Sequence, residues 1–177
     1  MDYIAFIAGL PEIAWDDRKL SLTVSEFREQ LKDYISGRDE RLIDLFFLPN
    51  DNAQVLRLLR KQEPDGTLST VYPVKLLEDE IQEPDKMIPA YLREFITDFK
   101  EEHLRYDVSP ENVLSWMYYD YMMKADNQLV KKYAEFSMNL KNLVTALNAR
   151  KYGMEVAKEV IGIQPGFKHF GTMHILN

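Results

Sequence analysis

The sequence contains no cysteine among its 177 residues. This absence excludes disulfide bonds, thiolate zinc sites and a cysteine nucleophile, and it fits a reducing compartment. Basic residues are also in the minority, since 22 Lys and Arg stand against 29 Asp and Glu, for a net charge of −7. Because such a protein repels polyanions, we expect no binding to nucleic acid and no attraction to an anionic membrane surface.

Long apolar runs are missing as well. No uninterrupted apolar run approaches the roughly 18 residues that a membrane span requires. The short apolar segment from Tyr3 to Leu10 follows Asp2 rather than a basic region and is interrupted by Pro11, which is untypical of a signal peptide. We therefore expect a cytoplasmic protein that does not insert directly into the membrane.

Motifs that carry catalytic chemistry are absent too. The three histidines, His103, His169 and His174, do not have the spacing of metal ligands. We interpret the acidic groups Asp16-Asp17 and Glu78-Asp79-Glu80 as solvated surface rather than as acid/base pairs or cation sites. There is no Walker loop, dinucleotide fingerprint or nucleophile elbow. The sequence therefore predicts no catalytic residue, cofactor or metal, and we expect that the protein is not an enzyme.

What the sequence does contain is a series of helix signals. Thr23-x-x-Glu26 has the form of a capping box, and Ser109-Pro110-Glu111 combines a helix cap, a first-turn proline and an acid. From Glu111 to Tyr152 nothing breaks a helix, although Ala125 to Asn127 could form a joint, so the pattern predicts a pair of long antiparallel helices or one very long helix. We predict a predominantly all-α fold, a bundle of antiparallel helices with one long helical hairpin, in a single domain over residues 1–177.

Three stretches are less clearly helical. The segment from Tyr3 to Leu10 is compatible with a short strand or a short core helix. Pro64-Asp65-Gly66 is typical of a turn, and a small hairpin is compatible with residues 64–74. We expect residues 63–89 as a whole to be a loop or linker.

The stretch from Glu135 to Gly162 carries an apolar stripe, which we expect to face the core. Asn139 and Arg150 lie at the border of this stripe, and their separation of eleven residues is close to three helical turns. Gly153 is placed to end the helix in a left-handed conformation. The stripe consists of Phe136, Leu140, Leu143, Val144 and Leu147.

A block of aromatic and methionine residues runs from Trp116 to Met123. Residues 117, 118, 121 and 122 share one side of a helix, which favours core packing over a cofactor pocket. Trp116, Tyr119 and Met123 lie away from that side. A helix that is apolar on more than one side packs between neighbours or meets a partner, so these three residues are a candidate partner surface.

Two segments resemble known families. The run from Asn139 to Arg150, NLKNLVTALNAR, resembles a repeated element of the C-subunit family of V-type ATPases, whose eukaryotic members are the d subunits. The opening from Tyr3 to Ile13, YIAFIAGLPEI, together with Leu20-Ser-Leu and Glu26-Phe27, resembles a smaller bacterial family of unknown function. Members of that family are encoded among V-type ATP synthase subunits.

The resemblance implies an all-helical, non-catalytic stalk subunit that links the central shaft to the membrane rotor ring. Central-stalk and rotor subunits would be the partners, and the protein would be peripheral to the inner membrane through the complex. Asn139 and Arg150 would hold helices together, with Gly153 ending the helix. Members of the C-subunit family are longer, so this chain would be a shortened form. The alternative is a stand-alone helical interaction or regulatory module.

Overall fold

All regular structure in the described part of the chain is helical. The computed structural model describes residues 3–104 and 108–162, and within these ranges there are nine helices and no strand. The all-α prediction is therefore confirmed. The helices are α1 Tyr3–Ala8, α2 Val24–Lys32, α3 Gly37–Asp44, α4 Leu48–Leu59, α5 Val74–Gln82, α6 Ala90–Lys100, α7 Pro110–Met123, α8 Gln128–Tyr152 and α9 Val156–Glu159.

Helix boundaries follow local sequence signals. The Thr23 hydroxyl accepts a hydrogen bond from the Glu26 amide, and the Glu26 carboxylate accepts one from the Thr23 amide, so the predicted capping box opens α2. Ser109 caps α7, with Pro110 as its first residue. Gly153 follows α8 with φ of 67°, the left-handed conformation predicted for it. Each signal acts within a few residues, which is why the sequence alone was sufficient.

The main core lies between α4, α6, α7 and the first two turns of α8. These helices present their apolar faces to one another, as expected for a helical bundle. Helix α5 and the residues that precede α6 close one side of it. The fully or almost fully buried side chains include Val55, Leu77, Leu92, Phe95, Ile96, Leu114 and Met122.

Residues 63–89 do not form the loop or linker that we expected. They contain α5, whose Leu77 is fully buried, and Ile88 is buried just before α6. Residues 64–73 run as turns and bends rather than as a hairpin, and Tyr3–Ala8 is helical rather than extended. Leu77 and Ile88 belong to the core, because burial there removes their apolar surface from water.

Polar side chains of α4 hold the turn-rich loop that follows it. Asp51 is buried, and its carboxylate accepts hydrogen bonds from the amides of Val71 and Tyr72 at 2.9 Å each. The Asn50 side chain donates to the Ser69 carbonyl at 2.9 Å. Burial raises the pKa of Asp51 to about 6, and the two amides oppose that rise. The loop is thus attached to α4 by polar contacts in the protein interior.

Helices α7 and α8 form the predicted long hairpin. The chain turns between Met123 and Gln128, and Lys141 then donates to the Ser115 hydroxyl at 2.8 Å, as antiparallel neighbours do. At 1.5 Å per residue, α7 is about 21 Å long and α8 about 38 Å long. The last turns of α8 therefore extend past the start of α7, where α9 and residues 160–162 pack against them.

A candidate interaction surface on the long helix

The buried face of α8 is narrow and built largely from small residues. Its buried side chains recur every fourth residue, which is the ridge that helices use when they pack into one another's grooves. Two of its five residues are alanine, and a helix with alanine at the contact approaches its neighbour closely. The ridge consists of Val130, Ala134, Met138, Asn142 and Ala146, with Ala149 beyond its end.

Asn142 is the polar member of that ridge, and it holds the chain that returns after α9. Its side-chain amide donates to the Ile161 carbonyl at 2.9 Å, and its side-chain oxygen accepts from the Ile161 amide at 2.9 Å. Asn112 of α7 donates to the Glu159 carbonyl at 3.0 Å. Gly162 then passes close to Trp116 with φ of 80°. The returning chain is thereby tied to both helices of the hairpin.

The opposite face of α8 is apolar and exposed to solvent. The stripe that we expected in the core lies on this face, and the expectation was wrong. Phe136 is 65% exposed and Leu147 is 57% exposed. Hydrophobic periodicity identifies an apolar face but does not say which of two such faces packs, and the alanine ridge allows the closer packing. The other members of the predicted stripe, Leu140, Leu143 and Val144, are also exposed.

The exposed residues have the spacing of a coiled-coil seam. Counting from Leu129, the steps along the chain are four, three, four, three and four residues. This alternation is the a/d pattern of a heptad repeat, which keeps one side of a helix against a partner helix over several turns. We name these residues the α8 stripe: Leu129, Tyr133, Phe136, Leu140, Leu143 and Leu147.

The three residues of the predicted structural motif have different surroundings. Asn139 is half-buried, Arg150 is exposed, and Gly153 is the C-cap. The buried asparagine that joins elements is Asn142, three residues after Asn139, and sequence reasoning missed it. The four-residue spacing from Ala134 and Met138 to Asn142 was the signal that could have found it. A role for Asn139 and Arg150 in holding helices together stays a prediction.

Trp116, Tyr119 and Met123 are half-buried and pack against the main core. Trp116 contacts the returning chain at Gly162, and the Tyr119 ring lies 5.1 Å from the Tyr118 ring. These side chains therefore pack between neighbouring parts of the protein. This is one of the two arrangements expected for a helix that is apolar on more than one side, the other being contact with a partner. Their use as a partner surface stays a prediction, whereas the large exposed apolar area lies on α8.

A second exposed apolar region lies near the start of the chain. Trp15 is fully exposed, and Ile4 and Ile13 are more than two-thirds exposed. We name residues 3–24 the N-terminal surface. Beside it lies an open apolar cavity of about 300 Å³, lined by residues that include Leu10, Leu22, Phe27 and Phe47.

The candidate metal ligands and acidic groups lie apart in the described residues. Within residues 3–104 and 108–162 there is no group of three or more His, Asp or Glu side chains arranged to hold a metal ion. His103 lies beside Glu101 at 3.2 Å and is exposed, while His169 and His174 lie outside the described residues. Asp16 and Asp17 are exposed as predicted. Glu80 is an exception to the predicted solvated cluster, because it is buried and accepts from the Met87 amide at 2.6 Å.

Taken together, the described residues form an all-α protein with an exposed apolar surface along its longest helix. In the part of the chain that the structure describes, no helix has the length and hydropathy needed to cross a bilayer. The chain belongs to the family described as "Protein of unknown function (DUF2764)", whose profile matches residues 1–169. No curated protein matches the chain, and no solved structure does.

Proposed function

We propose that the protein is a non-catalytic assembly subunit of a V-type ATP synthase or ATPase. In this proposal it resembles the C subunit of those complexes and links the central rotor shaft to the membrane rotor ring. It has no cofactor of its own, and it is cytoplasmic and peripheral to the inner membrane through the complex. The resemblance of the opening residues and of the run from Asn139 to Arg150 supports this choice of partners.

One observation carries the proposal of an assembly role. Of the nineteen large hydrophobic side chains that are exposed in the described residues, nine lie between Leu129 and Met154 and seven between Tyr3 and Val24. Scattered exposed hydrophobic residues are normal, but concentration in two regions is typical of protein contact surfaces. A subunit that joins other subunits needs such surfaces and needs no catalytic group.

The N-terminal surface is the region that we assign to the stalk and rotor subunits. It holds most of the residues on which the resemblance to the operon-encoded bacterial family rests. Trp15 is an aromatic side chain that is fully exposed, which is the kind of residue that anchors protein interfaces when it enters a pocket of a partner. The neighbouring apolar cavity could in turn receive a side chain of the partner.

Affinity purification from native membranes tests the proposal. The tagged chain is expressed in its own host, a mild-detergent membrane extract is prepared, and the bound proteins are identified by mass spectrometry. We expect V-type central-stalk and rotor subunits in the wild-type eluate. Because Trp15 is exposed, the W15D variant should keep the fold and recover at least about tenfold less of these subunits, as loss of an aromatic anchor is worth about 2 kcal/mol or more.

M87D is the matched control, since Met87 is also an exposed apolar residue but lies outside both surfaces. It should recover stalk and rotor subunits at the wild-type level. An eluate without any V-type subunit would contradict the proposed function. Reproducible recovery of a different, W15D-sensitive protein would instead favour the stand-alone interaction module.

A further inference from the structure

The α8 stripe is complementary to itself. When two copies of α8 are laid antiparallel about the level of residue 138, every residue of the α8 stripe meets another residue of the stripe. Leu129 falls opposite Leu147, Tyr133 opposite Leu143, and Phe136 opposite Leu140. Such a two-fold arrangement uses the same patch on both copies, as most homodimer interfaces do.

Charge is complementary in the same register. Arg150 follows the last stripe residue by three positions and continues the a/d pattern on the helix. Asp126 lies in the turn just before α8, at the other end of the stripe, with Arg38 of the same copy 3.9 Å away. In the antiparallel pair, Arg150 of one copy comes to the end of the seam where the turn with Asp126 of the other copy lies. Both residues are exposed. A parallel pair would instead place Arg150 against Arg150 and Asp126 against Asp126, which like-charge repulsion disfavours.

The body of the protein leaves room for this pairing. The alanine-rich ridge that packs on the protein's own core lies on the face of α8 opposite the stripe. Most of each body therefore lies on the far side of the helix pair, and it reaches the stripe at Tyr133, whose ring lies 4.8 Å from that of Phe46. The stripe extends over about 27 Å, from Leu129 to Leu147, which is about five helical turns of contact. Antiparallel pairing also brings the positive end of one helix dipole beside the negative end of the other.

We propose that the α8 stripe is a self-association surface, on which α8 of a second copy of this chain packs antiparallel to form a two-fold dimer. The contact is a short two-helix seam with Phe136 and Leu140 of both copies at its centre. The proposal does not depend on the rotary role, because it concerns a different surface and is tested on the purified protein alone.

Cross-linking tests the geometry directly, since the native chain has no cysteine. Ser137 lies beside the axis, so the conservative S137C variant should form a covalent dimer with a short bis-maleimide. R150C should not, because antiparallel pairing separates the two copies of residue 150 by about 36 Å along the seam. An equimolar mixture of D126C and R150C should again be linked. Cross-linking of R150C alone would overturn the antiparallel arrangement.

Sedimentation equilibrium tests the contact itself. The wild-type chain should be a dimer, and L140D should weaken dimerisation at least about 100-fold, because two central leucine contacts are lost. L140D should keep its helical circular dichroism, since Leu140 is exposed in the single copy. The control M87D should stay dimeric.

D126R and R150D should each weaken the dimer several-fold, and the double variant should restore it. A wild-type monomer at all concentrations, or a dimer unaffected by L140D, would overturn the proposal.

Discussion

The side chain of Asn142 pairs with the backbone of Ile161 through two hydrogen bonds of 2.9 Å, nineteen residues apart in the chain. Both groups of the Ile161 backbone are buried, as is Asn142 itself. The amide side chain therefore does what a neighbouring β-strand would do elsewhere: it satisfies a buried donor and a buried acceptor together. This contact fixes where the chain runs after α9.

Replacing Asn142 by alanine should destabilise the protein by about 2–4 kcal/mol, because two buried backbone groups lose their partners. Urea denaturation monitored by circular dichroism measures the change. N148A is the matched control, since Asn148 lies on the same helix but is exposed, and its effect should stay within about 0.5 kcal/mol. Equal effects of the two substitutions would show that the contact with Ile161 contributes little.

The two left-handed glycines should differ in their tolerance of alanine. A Cβ at Gly162 would lie 3.2 Å from Cδ1 of Trp116, whereas one at Gly153 would meet nothing within 4 Å. G153A should cost about 1 kcal/mol from backbone strain alone, and G162A should cost more because the indole must also move. Urea denaturation gives both values. In a W15F background, the fluorescence of Trp116 should shift in G162A and not in G153A.

Two neighbouring residues of α8 test which face is buried. Ala146 is 1% exposed, so A146L should overpack the protein interior and destabilise the protein by about 1–3 kcal/mol. Leu147 lies on the exposed face, and L147A should change the free energy of unfolding by no more than about 0.5 kcal/mol. Both are measured at concentrations low enough that self-association makes no contribution. The reverse ranking would mean that the stripe packs in the core.

The contribution of Asp51 to the free energy of unfolding should fall as the pH rises through the pKa of this residue in the folded protein. Its pKa is about 6 in the folded protein, above the ordinary value of 3.8, so the folded state binds the proton more tightly. The stability that protonation contributes is complete below about pH 4 and is lost as the pH rises through about 6. The advantage of the wild type over D51N should therefore shrink by about 1–3 kcal/mol between about pH 4 and pH 7. The free energies of unfolding of both proteins are measured by chemical denaturation at these pH values. A difference between wild type and D51N that stays constant with pH would show that Asp51 does not titrate in this range.

Features that depend on a few neighbouring residues were predictable from the sequence. The capping box at Thr23 and Glu26, the start of α7 at Ser109-Pro110 and the end of α8 at Gly153 all act through local hydrogen bonds and backbone conformation. The all-α class followed from the same signals. The absence of cysteine likewise excluded disulfide bonds, whatever the fold.

Features that depend on contacts between distant segments were decided only by the tertiary structure. Helix α8 carries a stripe of large apolar residues and a ridge of small residues. The hydrophobic periodicity is set by the large residues, so the sequence predicted that the stripe would be the buried face. The ridge packs because Ala134 and Ala146 permit a close approach that bulky residues prevent, and because Asn142 finds its partner nineteen residues away at Ile161. The stripe beginning at Leu129 is left facing solvent, and it is there that we propose a second copy binds.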